Sequence, residues 1–85
     1  MYVYVTAEDG TLKGVVDIRE LIQYRSDERL GRIMTEQVVT LSPEDTLSDA
    51  ATEFTKYGFR GLPLVDKDRK LLGEVSYKDL LSMTQ

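Results

Sequence analysis

Arg60-Gly61-Leu62-Pro63-Leu64-Val65-Asp66-Lys67-Asp68-Arg69-Lys70-Leu71-Leu72-Gly73-Glu74-Val75-Ser76-Tyr77-Lys78-Asp79-Leu80-Leu81 reads as an apolar strand, a charged turn, a second strand and a helix entered through a Ser-x-x-Asp capping box. Shifted back by 59 positions, the same pattern falls without a gap on residues 5–22. Asp9, Leu12, Gly14, Val16 and Leu21 then coincide with Asp68, Leu71, Gly73, Val75 and Leu80. Conservative pairs surround them: Val5 with Leu64, Arg19 with Lys78, Glu20 with Asp79, Ile22 with Leu81. The chain therefore carries an internal repeat, and a repeat has to be recognised before a fold is assigned. The copies are unequal: residues 38–63 place patterned sequence ahead of the second copy, whereas the first begins almost at Met1 and reads as lacking its front half.

Residues 2–6 alternate, with Val3 and Val5 on one face of a strand and Tyr2 and Tyr4 on the other. Glu8-Asp9-Gly10 supplies turn chemistry and residues 12–16 return as the partner strand. Asp17 caps a short helix with Glu20 at its third position and Ile18, Leu21 and Ile22 on one face. A charged connector, residues 25–29, leads to one helical turn carrying Leu30, Ile33 and Met34. Residues 38–41 read as an apolar strand ended by Ser42-Pro43. The strongest helix signal follows: Thr46 as N-cap with Asp49 three residues on, apolar Leu47, Ala50, Ala51, Phe54 and Tyr57, and Gly58 as the stop.

The expected organisation is residues 1–25 as the C-terminal half of a first repeat, 26–37 as a linker with a short helix, and 38–85 as a complete second repeat. A β-β-α half unit thus precedes a full β-α-β-β-α unit. A strand-helix-strand crossover favours parallel pairing, so the predicted fold is α+β, of α/β type, a small mixed sheet with helices on one face.

Eighty-five residues make one small domain, which buries a modest share of its surface and gains from association with another chain. With 41% hydrophobic and 31% charged residues the chain is globular in composition, and no apolar run approaches the roughly 20 residues of a membrane span. No signal-peptide pattern opens it, and the absence of cysteine fits a reducing compartment. A net charge of −4 argues against nucleic acid as a partner. With neither His nor Cys, the commonest general base, the thiol nucleophile and the usual zinc ligands are missing, so the chain is not expected to be an enzyme.

Met34-Thr35, then Val38-Val39-Thr40-Leu41-Ser42-Pro43-Glu44-Asp45-Thr46-Leu47, then residues 59–66, then Gly73-Glu74-Val75-Ser76-Tyr77-Lys78-Asp79-Leu80 together resemble a CBS domain, the module named after cystathionine beta-synthase. The resemblance covers the whole chain, as one full copy and the back half of a preceding one. It implies a Bateman-type pair, a regulatory unit that binds adenine nucleotides or other small ligands and controls an attached enzyme, channel or transporter. Tyr4-Val5, Gly14-Val15-Val16-Asp17-Ile18-Arg19-Glu20-Leu21, Phe59 to Asp66 and Gly73 to Asp79 look like the cytoplasmic CBS pair of the MgtE family of magnesium transporters. That likeness implies a place on the cytoplasmic face of the membrane, beside a transport domain outside this chain and with no membrane insertion of its own.

In CBS domains a Gly-apolar-apolar-Ser/Thr-x-x-Asp segment holds the nucleotide, its hydroxyl reaching phosphate and its carboxylate the ribose. Here the segment is Gly73 to Asp79, with Glu74 departing from the pattern. Ser76, Lys78 and Asp79 are therefore candidate ligand contacts, and a helix N-terminus suits an anion. Ser76 and Asp79 read equally as an ordinary capping box. By the resemblance the base would lie among Val38, Val39, Leu62 and Pro63, which read otherwise as core. In the first repeat Asp17 stands where Ser76 stands in the second, and a carboxylate there repels phosphate unless a cation intervenes. Asp17 and Glu20 are thus helix-cap residues or metal candidates. Residues 66–70 open like a calcium loop, but Leu71 replaces the required glycine and Tyr77 the required glutamate.

The expected function is that of a regulatory module that responds to ATP, ADP, AMP or Mg2+ and acts as a homodimer. The alternative is a structural dimerisation domain with no small-molecule ligand.

Overall fold

The computed structural model describes residues 1–83. Two antiparallel hairpins dominate it: β1 (Tyr2–Thr6) with β2 (Leu12–Asp17), and β3 (Gly61–Val65) with β4 (Leu71–Ser76). A six-residue 3-10 helix, Ile18–Gln23, follows β2. Then come the single turn α1 (Leu30–Ile33), α2 (Leu47–Tyr57) and α3 (Tyr77–Met83). The architecture is α+β, as the alternation of strand and helix signals predicts. The last two residues of the expected second repeat, 84 and 85, lie outside the described residues.

The hairpins repeat each other bond for bond. Gly10 N–H donates to the Ala7 carbonyl at 3.0 Å, and its counterpart Arg69 N–H donates to the Asp66 carbonyl at 2.9 Å. The register shifts at Val5/Thr6 in one hairpin and at the matching Leu64/Val65 in the other. Both turns need a left-handed residue. The first supplies Gly10 (φ 92°), while the second uses Arg69 (φ 64°), a conformation that a side chain disfavours.

The copies meet at the same position. Thr11 bridges Lys70, Leu12 N–H donates to the Arg69 carbonyl and Leu71 N–H to the Gly10 carbonyl, each at 2.9 Å. Each of these bonds is the image of the other under the repeat, so a local two-fold axis runs between Thr11 and Lys70. The linker crosses over to the first hairpin: Val15 N–H donates to the Thr35 carbonyl (3.0 Å) and Thr35 N–H to the Val15 carbonyl (2.8 Å).

The strand expected at residues 38–41 shrinks to one parallel bridge, Leu41 with Leu64, made by Leu41 N–H to the Pro63 carbonyl (2.8 Å) and Val65 N–H to the Leu41 carbonyl (2.9 Å). Prolines explain the loss. The next rung toward the N-terminus needs a donor at Pro63, the next toward the C-terminus needs one at Pro43, and neither has an N–H. The parallel member of the predicted mixed sheet is therefore a single contact.

α2 forms as its caps dictate. Thr46 and Asp49 make a full capping box, with both side chain to backbone bonds at 3.0 Å, and Gly58 ends the helix at φ 70°. Ala50 and Phe54 are buried with Leu41, Leu62 and Leu80, and Val39, Ala51, Leu64 and Val75 pack around them. Burying each of the large side chains contributes about 1.5–3 kcal/mol. Two apolar positions of this helix do not join the core: Leu47 and Tyr57 are exposed.

The first repeat departs further from expectation. Its helix is 3-10 rather than α, none of its residues is buried, and Ile22 is 92% exposed. Leu80 is buried in the cluster that α2 builds with Phe54, whereas its counterpart Leu21 meets no second copy of α2 among the described residues.

Candidate functional site

Val38, Val39, Leu62 and Pro63 do come together. With Tyr2, Tyr4, Val15 and Gly61 they line a cleft of about 30 Å³ between the two repeats. The crossover from the linker brings Val38 and Val39, β3 brings Leu62 and Pro63, and β1 closes the cleft with two tyrosines from the face opposite Val3 and Val5. As it stands the cleft is an order of magnitude below the roughly 300–1,000 Å³ of ordinary small-molecule pockets.

A clasp between the repeats lies beside the cleft. The Tyr4 hydroxyl donates to Glu74 Oε2 at 2.5 Å, joining β1 of the first repeat to β4 of the second. Partial burial, then the hydrogen bond and charge of Glu74, push the Tyr4 phenol far above its ordinary pKa, so it stays a donor across the physiological range. The Glu74 carboxyl also sits against Gly61, where an added Cβ would come within 2.9 Å of it. Tyr2 accepts a long bond from the Arg60 N–H (3.4 Å) and packs edge-on against Phe59.

None of the polar candidates lines the cleft itself. Ser76 is opposite Gly61 in the β3–β4 register. Its Oγ accepts from the Asp79 N–H at 3.0 Å, and the Tyr77 N–H donates to the Arg60 carbonyl at 2.8 Å. The Ser76 half of the predicted capping box is therefore formed, and two of the first helical N–H groups are already bonded. Lys78 lines a different hollow of about 570 Å³, shared with Phe54, Phe59, Arg60, Tyr77 and Leu81. Two cations and three aromatic rings give that hollow the chemistry of an anion-and-ring surface, but it is not continuous in its lining with the cleft.

Asp17 is engaged within its own turn, as the cap reading expects. Asp17 Oδ1 accepts from the Arg19 N–H (3.0 Å) and Nε (3.2 Å), and Oδ2 from Nη2 (2.7 Å). These bonds hold its carboxyl down at about 2. The Arg19 guanidinium thus already compensates the charge, and among the described residues no group of three or more acidic, His or Cys side chains is disposed to hold a metal ion.

Sequence reasoning missed Tyr2, Tyr4, Val15 and Glu74. The repeat itself held a signal, because Tyr4 is the counterpart of Pro63, a residue already singled out, and Val15 is the counterpart of Glu74.

Comparison with known proteins agrees with this geometry. Residues 30–84 match the family model described as CBS domain. The chain is 34% identical over 84 residues to the magnesium transporter MgtE of Thermus thermophilus, an alignment spanning 99% of this chain and 19% of that protein. Among solved structures, the cytosolic domain of the Mg2+ channel MgtE in complex with ATP superposes with a TM-score of 0.92 at 35% identity, over 96% of this chain and 33% of that one. CBSX2 in complex with AMP superposes with a TM-score of 0.82 at 27% identity, over 98% and 69% of the two chains. The chain thus spans about a fifth of the curated transporter it matches. With a doubled hairpin unit, a linker crossing from one copy to the other and a family match over its second copy, the chain belongs to the CBS domain family.

Proposed function

We propose that the chain is a non-catalytic regulatory module that senses an adenine nucleotide at the junction of its two repeats and controls a magnesium transporter of the MgtE family. The observation that carries this reading is the cleft, which gathers Val38, Val39, Leu62 and Pro63 on both sides of one slot. Similar proteins hold ATP and AMP. In this reading the base enters between Val38-Val39 and Leu62-Pro63, Ser76 and Asp79 address the ribose and phosphates, and Lys78 adds positive charge.

The small volume is part of the mechanism. A nucleobase enters only if Tyr2 and Tyr4 move away, and that movement strains or breaks the clasp to Glu74. Ligand then binds the open arrangement of the repeats better than the closed one, which is the condition for a ligand to shift a conformational equilibrium. Mg2+ enters this scheme with the nucleotide, since among the described residues no group of three or more acidic side chains is disposed to hold it alone.

We further infer a homodimer on the cytoplasmic face of the membrane. Leu47, Tyr57, Phe59, Tyr77 and Leu81 leave apolar surface on the helical side, and a domain of this size gains stability by covering it. Among the described residues no helix is long and apolar enough to cross a membrane. The same surface supports the second reading, a dimerisation domain without a ligand.

Thermal denaturation separates the two. The sensor reading predicts a melting temperature that climbs with ATP or AMP concentration, by about 2.7 kcal/mol of added stability at 100 times Kd. A melting temperature unmoved by ATP, ADP and AMP, yet dependent on protein concentration, supports the assembly reading instead.

A further inference from the structure

Glu74 puts a carboxylate where the first repeat has Val15, a residue that lines the cleft. The hairpin does not call for it: the side chain is exposed, and among the described residues no Lys or Arg comes within ion-pair distance of it. Its carboxyl is nevertheless held in one place, against Gly61 and on the Tyr4 hydroxyl, and both of those residues line the cleft. Gly61 admits it there, since a Cβ at that position would lie 2.9 Å from Glu74 Cδ and 3.0 Å from Oε2.

The partner that Glu74 holds has the form of a ligand. Tyr4 is a flat six-membered ring that lines an apolar slot and delivers one hydrogen-bond donor from its far edge to Oε2 at 2.5 Å. An adenine ring offers the same two features, an apolar face and an amino group at C6 that donates. A 6-oxo purine presents an acceptor at that place, and a carboxylate oxygen facing it is repelled. When Tyr4 withdraws, Glu74 is short of one donor, and a ligand that supplies it is favoured over one that does not. Val15, Val38, Val39, Leu62 and Pro63 have no side-chain group that tells the two kinds of base apart.

We propose that Glu74 is the residue that reads the base, selecting a purine with a 6-amino group over a 6-oxo purine, and that Tyr4 stands in for that base while the slot is closed. This rests on the nucleotide-sensing reading above and adds to it the determinant of base identity.

The test is isothermal titration of the chain, Glu74→Gln, Glu74→Ala and Tyr4→Phe with AMP, IMP and GMP and with the corresponding triphosphates, each set differing only in the base. The chain is expected to bind the adenine member at least tenfold more tightly than the other two, which is within the range of one well-placed donor and acceptor pair. In Glu74→Gln the ratio falls toward one, because the amide turns its amino group to a 6-oxo base and its oxygen to a 6-amino base. Glu74→Ala, which has neither, gives the same collapse. Tyr4→Phe keeps the ratio and raises the affinity for AMP, because the phenol competes for Glu74 without reading the base. Equal binding of AMP and IMP by the chain, tighter binding of GMP, or a preference that survives both Glu74 variants overturns the proposal and leaves the nucleotide reading standing. A ratio abolished by Tyr4→Phe also overturns it, since the phenol would then be the reader. Silence with all six nucleotides overturns the nucleotide reading and the proposal together.

Discussion

Tyr4 donates its hydroxyl proton to Glu74 across the junction of the two repeats, at 2.5 Å and beside the cleft that Val38, Val39, Leu62 and Pro63 line. Position 4 corresponds to Pro63 and position 74 to Val15, so the contact has no polar image on the other side of the local axis. One hydrogen bond therefore marks which of the two related junctions is latched. Tyr4→Phe is expected to lower stability by about 1 kcal/mol, the usual worth of such a bond when its partner can regain water. If the clasp opposes opening, the same variant binds nucleotide more tightly than the parent. Denaturant melts and a nucleotide titration check both.

The Tyr4 phenol also gives an alkaline signature. Its pKa is raised in the folded state, so the stabilisation is complete below the unfolded value of about 10 and is lost as pH rises beyond it. A spectrophotometric titration is expected to show one tyrosine ionising only with unfolding, and Tyr4→Phe removes that step.

At the acid end the sign reverses. Hydrogen bonds from Arg19 hold Asp17 down at about 2, and the Thr11 hydroxyl and N–H depress Asp9. Both contributions are complete above the unfolded value of about 3.9 and disappear as pH falls toward the folded one. Melting temperatures taken from pH 5 to pH 2 should fall, and Asp17→Asn should flatten the lower part of that decline. An unchanged acid limb in the variant would show that the Arg19 contact adds nothing to stability.

Arg69 occupies the left-handed turn position that Gly10 fills in the first hairpin. Arg69→Gly is expected to stabilise the chain by about 0.5–1 kcal/mol, the relief of the Cβ clash less the added freedom of the unfolded chain. Gly10→Ala should cost a similar amount or more. Paired denaturant melts of the two variants test the symmetry of the turns directly.

In the core, Phe54→Ala is expected to cost about 3–5 kcal/mol and Leu62→Ala about 2–5 kcal/mol, since each is about 2% exposed and packed in one cluster. The exposed Leu47, of the same helical stripe as Phe54, should cost under about 0.5 kcal/mol when replaced by alanine beyond any change in helix propensity. Equal losses at Leu47 and Leu62 would mean that the stripe is covered in solution by another chain.

Much of this fold is legible because its rules are local. The capping box at Thr46 and Asp49, the stop at Gly58 and the paired hairpins follow from side chains within a few residues of one another, and the 59-residue repeat doubles the hairpin signal. What was not legible depends on residues far apart. The strand expected at residues 38–41 fails because its partner presents Pro63, and the helix expected after Asp17 is left uncovered because Leu21 meets no second copy of α2 among the described residues. Val38, Val39, Leu62 and Pro63, named from the resemblance, do share a cleft, and a base between them remains a proposal. The tyrosines that close it, and the reach of Tyr4 to Glu74, arise only when the two hairpins are set around the local axis. Ser76 caps α3 through the Asp79 N–H, and a role for Ser76 and Asp79 toward a ligand remains a proposal with its own test.

That test is isothermal titration of the chain with ATP, ADP and AMP, each with and without Mg2+, beside a Ser76→Ala/Asp79→Ala double variant and a Val38→Phe variant that fills the cleft from its half-buried wall. The account predicts saturable heat with at least one nucleotide, lost in the cleft-filled protein and weakened at least tenfold in the double variant, a change of about 1.4 kcal/mol. Absence of heat with every nucleotide, or heat that survives filling of the cleft, would contradict it.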